Sequence, residues 1–171
     1  MSEDSQASFN PFERMGLDPT FPLDLEELER VYVNLQHRFH PDQLESHDLA
    51  RLAANQVSSA ITQAYHVLKN PLTRAAFFFR QAGKWPLDPI ESCAPELLEE
   101  MMTLQEQAAQ LDTPSTQKAF LENLQKLHDA ALENLYVCFQ NGAFDMGRAP
   151  YYYHRLSYLQ KLQNRLFERF G

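Results

Sequence analysis

Apolar residues recur along most of this chain at three- and four-residue intervals with polar residues between them, a spacing that predicts helices. Leu25, Leu28, Tyr32, Leu35 and Phe39 make the first long stripe on one helical face. Pro41 cannot donate a backbone bond and disfavours a helical residue before it, so this helix stops at His40. A second stripe follows: Leu49, Leu52, Ala53, Ala60, Ile61, Ala64, Tyr65 and Leu68. Two helices with so short a loop pack antiparallel and leave His40-Pro41-Asp42 at an exposed tip. Asn70-Pro71 is a cap followed by a first-turn proline, which opens a short helix through Phe77-Phe78-Phe79. Those three rings face more than one side, so some are expected to bury against the C-terminal domain.

Gly83 to Pro89 has one glycine, two prolines and no periodicity, and reads as a linker. Three further helices are predicted beyond it. The first opens at Pro95, carries Glu96, Glu99 and Glu100 near its positive end, and buries Leu97, Met101, Leu104, Ala108 and Leu111. Thr113-Pro114 caps the second, whose stripe is Phe120, Leu124, Leu127, Ala131, Leu135 and Cys138, with Asn141-Gly142 as its stop. The third buries Tyr152, Leu156, Leu159, Leu166 and Phe170, with Pro150 either starting or kinking it. Long helices with short loops form an antiparallel bundle. The expected organisation is a disordered tail over 1–8, a hairpin domain over 9–82, a linker over 83–94 and a three-helix bundle over 95–171. The fold class is all-α.

Composition narrows the function. At 171 residues and 44% hydrophobic, the chain can build one or two real cores. A net charge of −8 argues against nucleic acid and against an anionic membrane surface as partners. No apolar run approaches membrane-spanning length. Met1 to Gln6 is acidic and polar, unlike a signal or transit peptide, so a bacterial cytoplasm is expected. Cys93 and Cys138 have no C-x-x-C partner and read as reduced thiols. His37, His40, Asp42 and His47 do not make a metal site, because Pro41 breaks the helix between them. His66, His128 and His154 are expected at surface or edge positions. With five glycines and no nucleophile elbow or phosphate loop, neither an enzyme nor a bound cofactor is expected.

The hairpin and its tripeptide resemble a J domain, the module by which co-chaperones stimulate the ATPase of a DnaK-type chaperone. Asn10 to Leu17 resembles the short first J-domain helix. Ile61 to Tyr65 and Leu68 to Ala75 resemble the third helix and its exit. A helical C-terminal segment follows directly, and this combination is similar to the HscB-type J-proteins of iron–sulfur cluster assembly. The resemblance implies an L-shaped protein with an HscA-like chaperone and an IscU-like cluster scaffold as partners. It implies that His40, Pro41 and Asp42 engage the chaperone, together with the outward face of the preceding helix, Arg30, Asn34, His37 and Arg38. It further implies scaffold binding by Leu98, Met102 and Glu106 on the first bundle helix and by Tyr158 on the last. Leu98 and Met102 lie beside the core stripe, so from spacing alone they either widen it or form an exposed patch. Gln43 stands where the family usually has Lys, and Glu99 and Thr103 stand where an apolar residue and an acid are usual. Two other readings remain open: a J-protein with a different client, and a helical interaction module that stimulates no ATPase.

Overall fold

The computed structural model describes residues 9–39, 48–87, 94–140 and 144–170. The expected tail over 1–8, the His40-Pro41-Asp42 tip with Gln43 and His47, residues 88–93 including Cys93, and Asn141-Gly142 lie outside these residues. Leu49 sits in a described helix turn, but its side chain falls outside the description. Among the described residues there are seven α-helices and no strand: α1 (Pro11–Met15), α2 (Leu25–Phe39), α3 (Asp48–Lys69), α4 (Pro71–Gln81), α5 (Pro95–Ala109), α6 (Pro114–Cys138) and α7 (Ala149–Phe170).

Local chemistry sets most helix starts. The Asn10 side chain accepts the Phe12 and Glu13 N–H groups ahead of α1, and Gly16 closes that helix at φ 67°, where a side chain would be strained. Asp24 Oδ1 accepts from Glu26 and Glu27 N–H at 2.9 and 3.2 Å at the start of α2. Asn70 does the same for Leu72 at 2.8 Å before Pro71. Thr113 and Thr116 cap α6 reciprocally. Asp145 Oδ1 accepts from Gly147 and Arg148 at 3.1 Å, so α7 begins at Ala149 and Pro150 belongs to its first turn rather than to a kink. α6 ends at Cys138, ahead of Asn141-Gly142, with Phe139 N–H turning back to Tyr136 and Val137 carbonyls.

In the first unit, α1 and the α2–α3 hairpin bury Phe12, Met15, Phe21, Leu28, Ile61, Ala64, Tyr65 and Leu68. Each of the larger side chains among them contributes on the order of 2 kcal/mol by leaving water. The stripes shift at their ends. Leu25, Phe39 and Leu52 are exposed rather than core, and on α3 Ala54 takes the inward position expected of Leu52 and Ala53. Nine residues separate Leu52 from Ile61, about half a turn at about 100° per residue, so the two cannot share a face. Gln36 ties the hairpin by donating to Thr62 Oγ1 (2.9 Å) and Ser58 O (3.2 Å) while accepting from Ser58 Oγ (2.8 Å). Arg74 is fully buried, its Nη1 donating to Leu68 O at 2.6 Å and its guanidinium 5.0 Å from the Phe21 ring.

The chain divides into two compact units after Arg74, inside α4, rather than in the expected 83–94 segment. The reason is aromatic. Phe79 is fully buried and its ring centroid lies 5.5 Å from Phe144, 5.5 Å from Tyr153 and 6.2 Å from Phe139. The second half of α4 is therefore part of the second unit. There α6 and α7 pack antiparallel around Leu124, Ala131, Leu135, Leu156, Leu159 and Leu166. Leu162 and the polar Gln163 are also buried, and Gln163 donates to Gln125 Oε1 at 3.1 Å. α5 runs parallel to α7: its successive residues Glu100, Met101 and Ala108 meet Arg155, Tyr158 and Arg169 in ascending order.

Candidate partner-binding surfaces

The first surface is the outer face of α2. Leu28 fixes the inward direction, and His37, nine residues on, points about half a turn away from it. Arg30, Asn34, His37 and Arg38 are all exposed on that outward side. Val33, 42% exposed, lies among them. Glu26, Glu27 and Glu29 crowd the start of the helix, and Glu29 is turned toward α3, where it accepts from the Tyr65 hydroxyl. Lys69 Nζ donates to the same hydroxyl at 2.6 Å, which raises the Lys69 pKa. Tyr65 stacks on Tyr32 at 4.2 Å. This network ties down one carboxylate at the base of α2, while Arg30, His37 and Arg38 face water. The tripeptide expected to complete the surface falls outside the described residues.

The second surface is on α5. Leu98 and Met102 are 51% and 63% exposed, so they form a patch rather than widen the core. Glu106, one turn on, is also exposed. Tyr158 on α7 is half-buried, and its hydroxyl donates to Met101 O at 2.7 Å, which ties it to the backbone of α5. Burial raises the Tyr158 pKa, so the hydroxyl stays a donor. Glu99 is exposed on the same helix, and its carbonyl accepts from Thr103 Oγ1 at 2.9 Å. Sequence spacing did not reveal that Glu100 accepts a two-bond contact from Arg155, with Nε 2.8 Å and Nη2 2.6 Å from its carboxylate oxygens. Fifty-five residues separate the two, and no local pattern couples them.

His154 is half-buried with its Nε2 unpaired, and burial, with a smaller push from Lys161, lowers its pKa. Among the described residues no three His, Cys, Asp or Glu side chains converge to hold a metal, and no helix is long and apolar enough to cross a membrane.

Residues 93–166 match the family model described as the HSCB C-terminal oligomerisation domain. Over 163 residues the chain is 31% identical to a protein of Vibrio vulnificus strain YJ016 named "Co-chaperone protein HscB homolog", covering 92% of this chain and 94% of the relative. The chain belongs to the HscB family of co-chaperones. The homologue from strain CMCP6 matches at the same identity and coverage. The HscB chaperone of Vibrio cholerae superposes with a TM-score of 0.80 at 28% identity, covering 94% of this chain and 96% of that one. Human co-chaperone HscB shares the fold at a TM-score of 0.73 and 18% identity, covering 95% of this chain and 85% of its own. The segment matched by the HscB family model includes all of α5 and α6 and most of α7, and hence Leu98, Met102, Glu106 and Tyr158.

Proposed function

We propose that this co-chaperone acts through two separate surfaces. Arg30, Asn34, His37 and Arg38, with His40, Pro41 and Asp42, meet an HscA-like chaperone of the DnaK type and stimulate its ATP hydrolysis. Leu98, Met102, Glu106 and Tyr158 hold an IscU-like scaffold and deliver it to that chaperone for iron–sulfur protein maturation. The protein makes and breaks no bonds itself, takes no cofactor and works in the bacterial cytoplasm. The domains are a J domain and a scaffold-binding bundle.

The observation that carries this reading is the exposed Leu98 and Met102 pair on α5, the helix to which the Tyr158 hydroxyl bonds, in a chain of the HscB family. Two large apolar side chains held in water one turn apart cost solubility unless a partner covers them. On α2, Arg30, His37 and Arg38 face water while Glu29 is tied to α3, which suits an acidic chaperone surface, and binding there should weaken with salt. The test is single-turnover ATP hydrolysis by the cognate DnaK-type chaperone, with this protein and with or without the scaffold. Stimulation that rises further with scaffold supports both surfaces. Stimulation indifferent to scaffold points to a different client, the reading that Glu99 and Thr103 favour. No stimulation refutes the chaperone surface.

A further inference from the structure

We propose that the Glu100–Arg155 ion pair is a positioning device for the scaffold surface: together with the bond from the Tyr158 hydroxyl to the Met101 carbonyl, it ties α5 to α7 and sets the roll of α5 that presents Leu98 and Met102. This rests on the reading of Leu98, Met102 and Tyr158 as the scaffold surface.

The stripe Leu97, Met101, Leu104 and Ala108 turns α5 toward the bundle. At about 100° per residue, Glu100 stands on one flank of that stripe and Leu98 and Met102 on the other. Apolar packing is non-directional, so the stripe alone tolerates small rolls of the helix. The two polar ties do not. Arg155 is a planar fork that meets both carboxylate oxygens, at 2.8 and 2.6 Å, and such contacts are directional as well as strong. The Arg155 and Glu100 side chains are only 16% and 27% exposed, so water screens the pair weakly. Both are occupied with each other, which leaves neither as a free charge for a partner. Along the stripe itself, the Tyr158 hydroxyl holds the Met101 carbonyl at 2.7 Å, and Arg169 Nη1 reaches Ala108 O at 3.3 Å. On a helix about 10–12 Å wide, a roll of about 20° moves a side-chain end by about 2 Å. A gap of even about 1 Å forfeits up to about half of a van der Waals contact, so the roll of α5 decides whether Leu98 and Met102 meet a docked surface.

The experiment is titration of the full chain with cluster-free IscU-type scaffold protein, with thermal unfolding followed in parallel. Glu100→Gln should bind about fivefold to tenfold more weakly at temperatures where the bundle stays folded, because the competent arrangement becomes a fraction of the population. The swapped pair Glu100→Arg with Arg155→Glu should bind within about twofold of the parent, since the tie is remade in reverse. Arg155→Lys keeps the charge, loses the fork and should recover only part of the affinity, which preserves the test if the swapped pair does not fold. Met102→Ala reports on the patch itself and should weaken binding. If Met102→Ala weakens binding and Glu100→Gln does not, the pair is only structural and the inference fails while the surface stands. A folded swapped pair that stays weak, or Arg155→Lys equal to the parent, also overturns it. Full affinity in Met102→Ala, or no scaffold binding by the parent, removes the surface and the inference with it.

Discussion

Replacing Phe79 should destabilise the second unit and leave a signature that locates α4. Phe79 is fully buried, and its ring makes edge or tilted contacts with Phe139, Phe144 and Tyr153 at centroid distances of 5.5 to 6.2 Å. Phe79→Leu keeps most of the apolar volume and forfeits the ring pairs, each worth about 0.5–1.5 kcal/mol beyond area, so a net loss of about 2 kcal/mol is expected. Phe79→Ala also opens a cavity and should cost about 3–5 kcal/mol. The chain carries a single tryptophan, Trp85, whose ring lies 5.9 Å from Tyr153, so its fluorescence reports on this same unit. In urea, at a slope of about 1–2 kcal/mol per molar, Phe79→Leu should lower the Trp85 midpoint by about 1–2 M. A shift below about 0.5 kcal/mol would refute the reasoning. So would a loss of helix by circular dichroism that leaves the Trp85 transition in place, because Phe79 would then belong to the hairpin unit, as a boundary at 82 requires.

Leu124→Ala removes a fully buried side chain from α6 and should cost about 2–5 kcal/mol in urea unfolding; a loss below about 1 kcal/mol would contradict its place in the core. Because burial lowers the folded-state pKa of His154, the unfolded chain takes up its proton first as pH falls below about 6.5, so stability should be held above that pH and decline beneath it through the folded pKa. His154→Gln should flatten the decline between pH 6.5 and the onset of carboxylate titration; an unchanged slope would assign it to other groups. Pro41→Ala should change folding stability by no more than about 0.5 kcal/mol yet abolish stimulation of chaperone ATPase, and unfolding of the hairpin would show that the tip is not exposed.

The sequence displayed the directions of helix faces better than their extents. Leu28, Ile61, Leu68, Leu104, Leu124, Leu135 and Leu156 are buried where periodicity places them. The caps at Asn70 and Thr113 are equally local, since the side chain and the N–H groups it serves lie within three residues. Leu25 and Phe39 obey the same period and stay exposed, because period fixes a direction but not where the opposing helix ends, whereas Leu52 stays exposed because it lies about half a turn from Ile61. The position of α4 was ambiguous for a related reason: three consecutive rings fan over about 200° of a helix, and only the distant Phe139, Phe144 and Tyr153 decide which unit claims them. Arg74 and Gln163 break the rule that polar residues face out, and each is accommodated by a partner in another helix. The members of the two candidate surfaces were nominated by the resemblance to the HscB-type J-proteins rather than by spacing. Exposure, which separates a patch from a widened core at Leu98 and Met102, needed the packing.

The polar ties explain how such surfaces can be exact without covalent or metal constraints. Three seams carry one among the described residues: Gln36 with Ser58 and Thr62 between α2 and α3, Gln125 with Gln163 between α6 and α7, Glu100 with Arg155 between α5 and α7. Apolar stripes favour burial of one face, and the polar ties add a second penalty against a slip along the seam. A one-residue slip turns every side chain by about 100°. On α2 it would swing Arg30 and His37 off the solvent face, and on α5 it would turn Leu98 and Met102 to another side of the helix. A slip would also strand the Gln36 amide or leave the Glu100 and Arg155 charges unpaired and partly buried, at a cost of about 1–3 kcal/mol or more for each group. For a co-chaperone, whose output depends on where its surfaces meet other proteins, those penalties protect function more than they add stability.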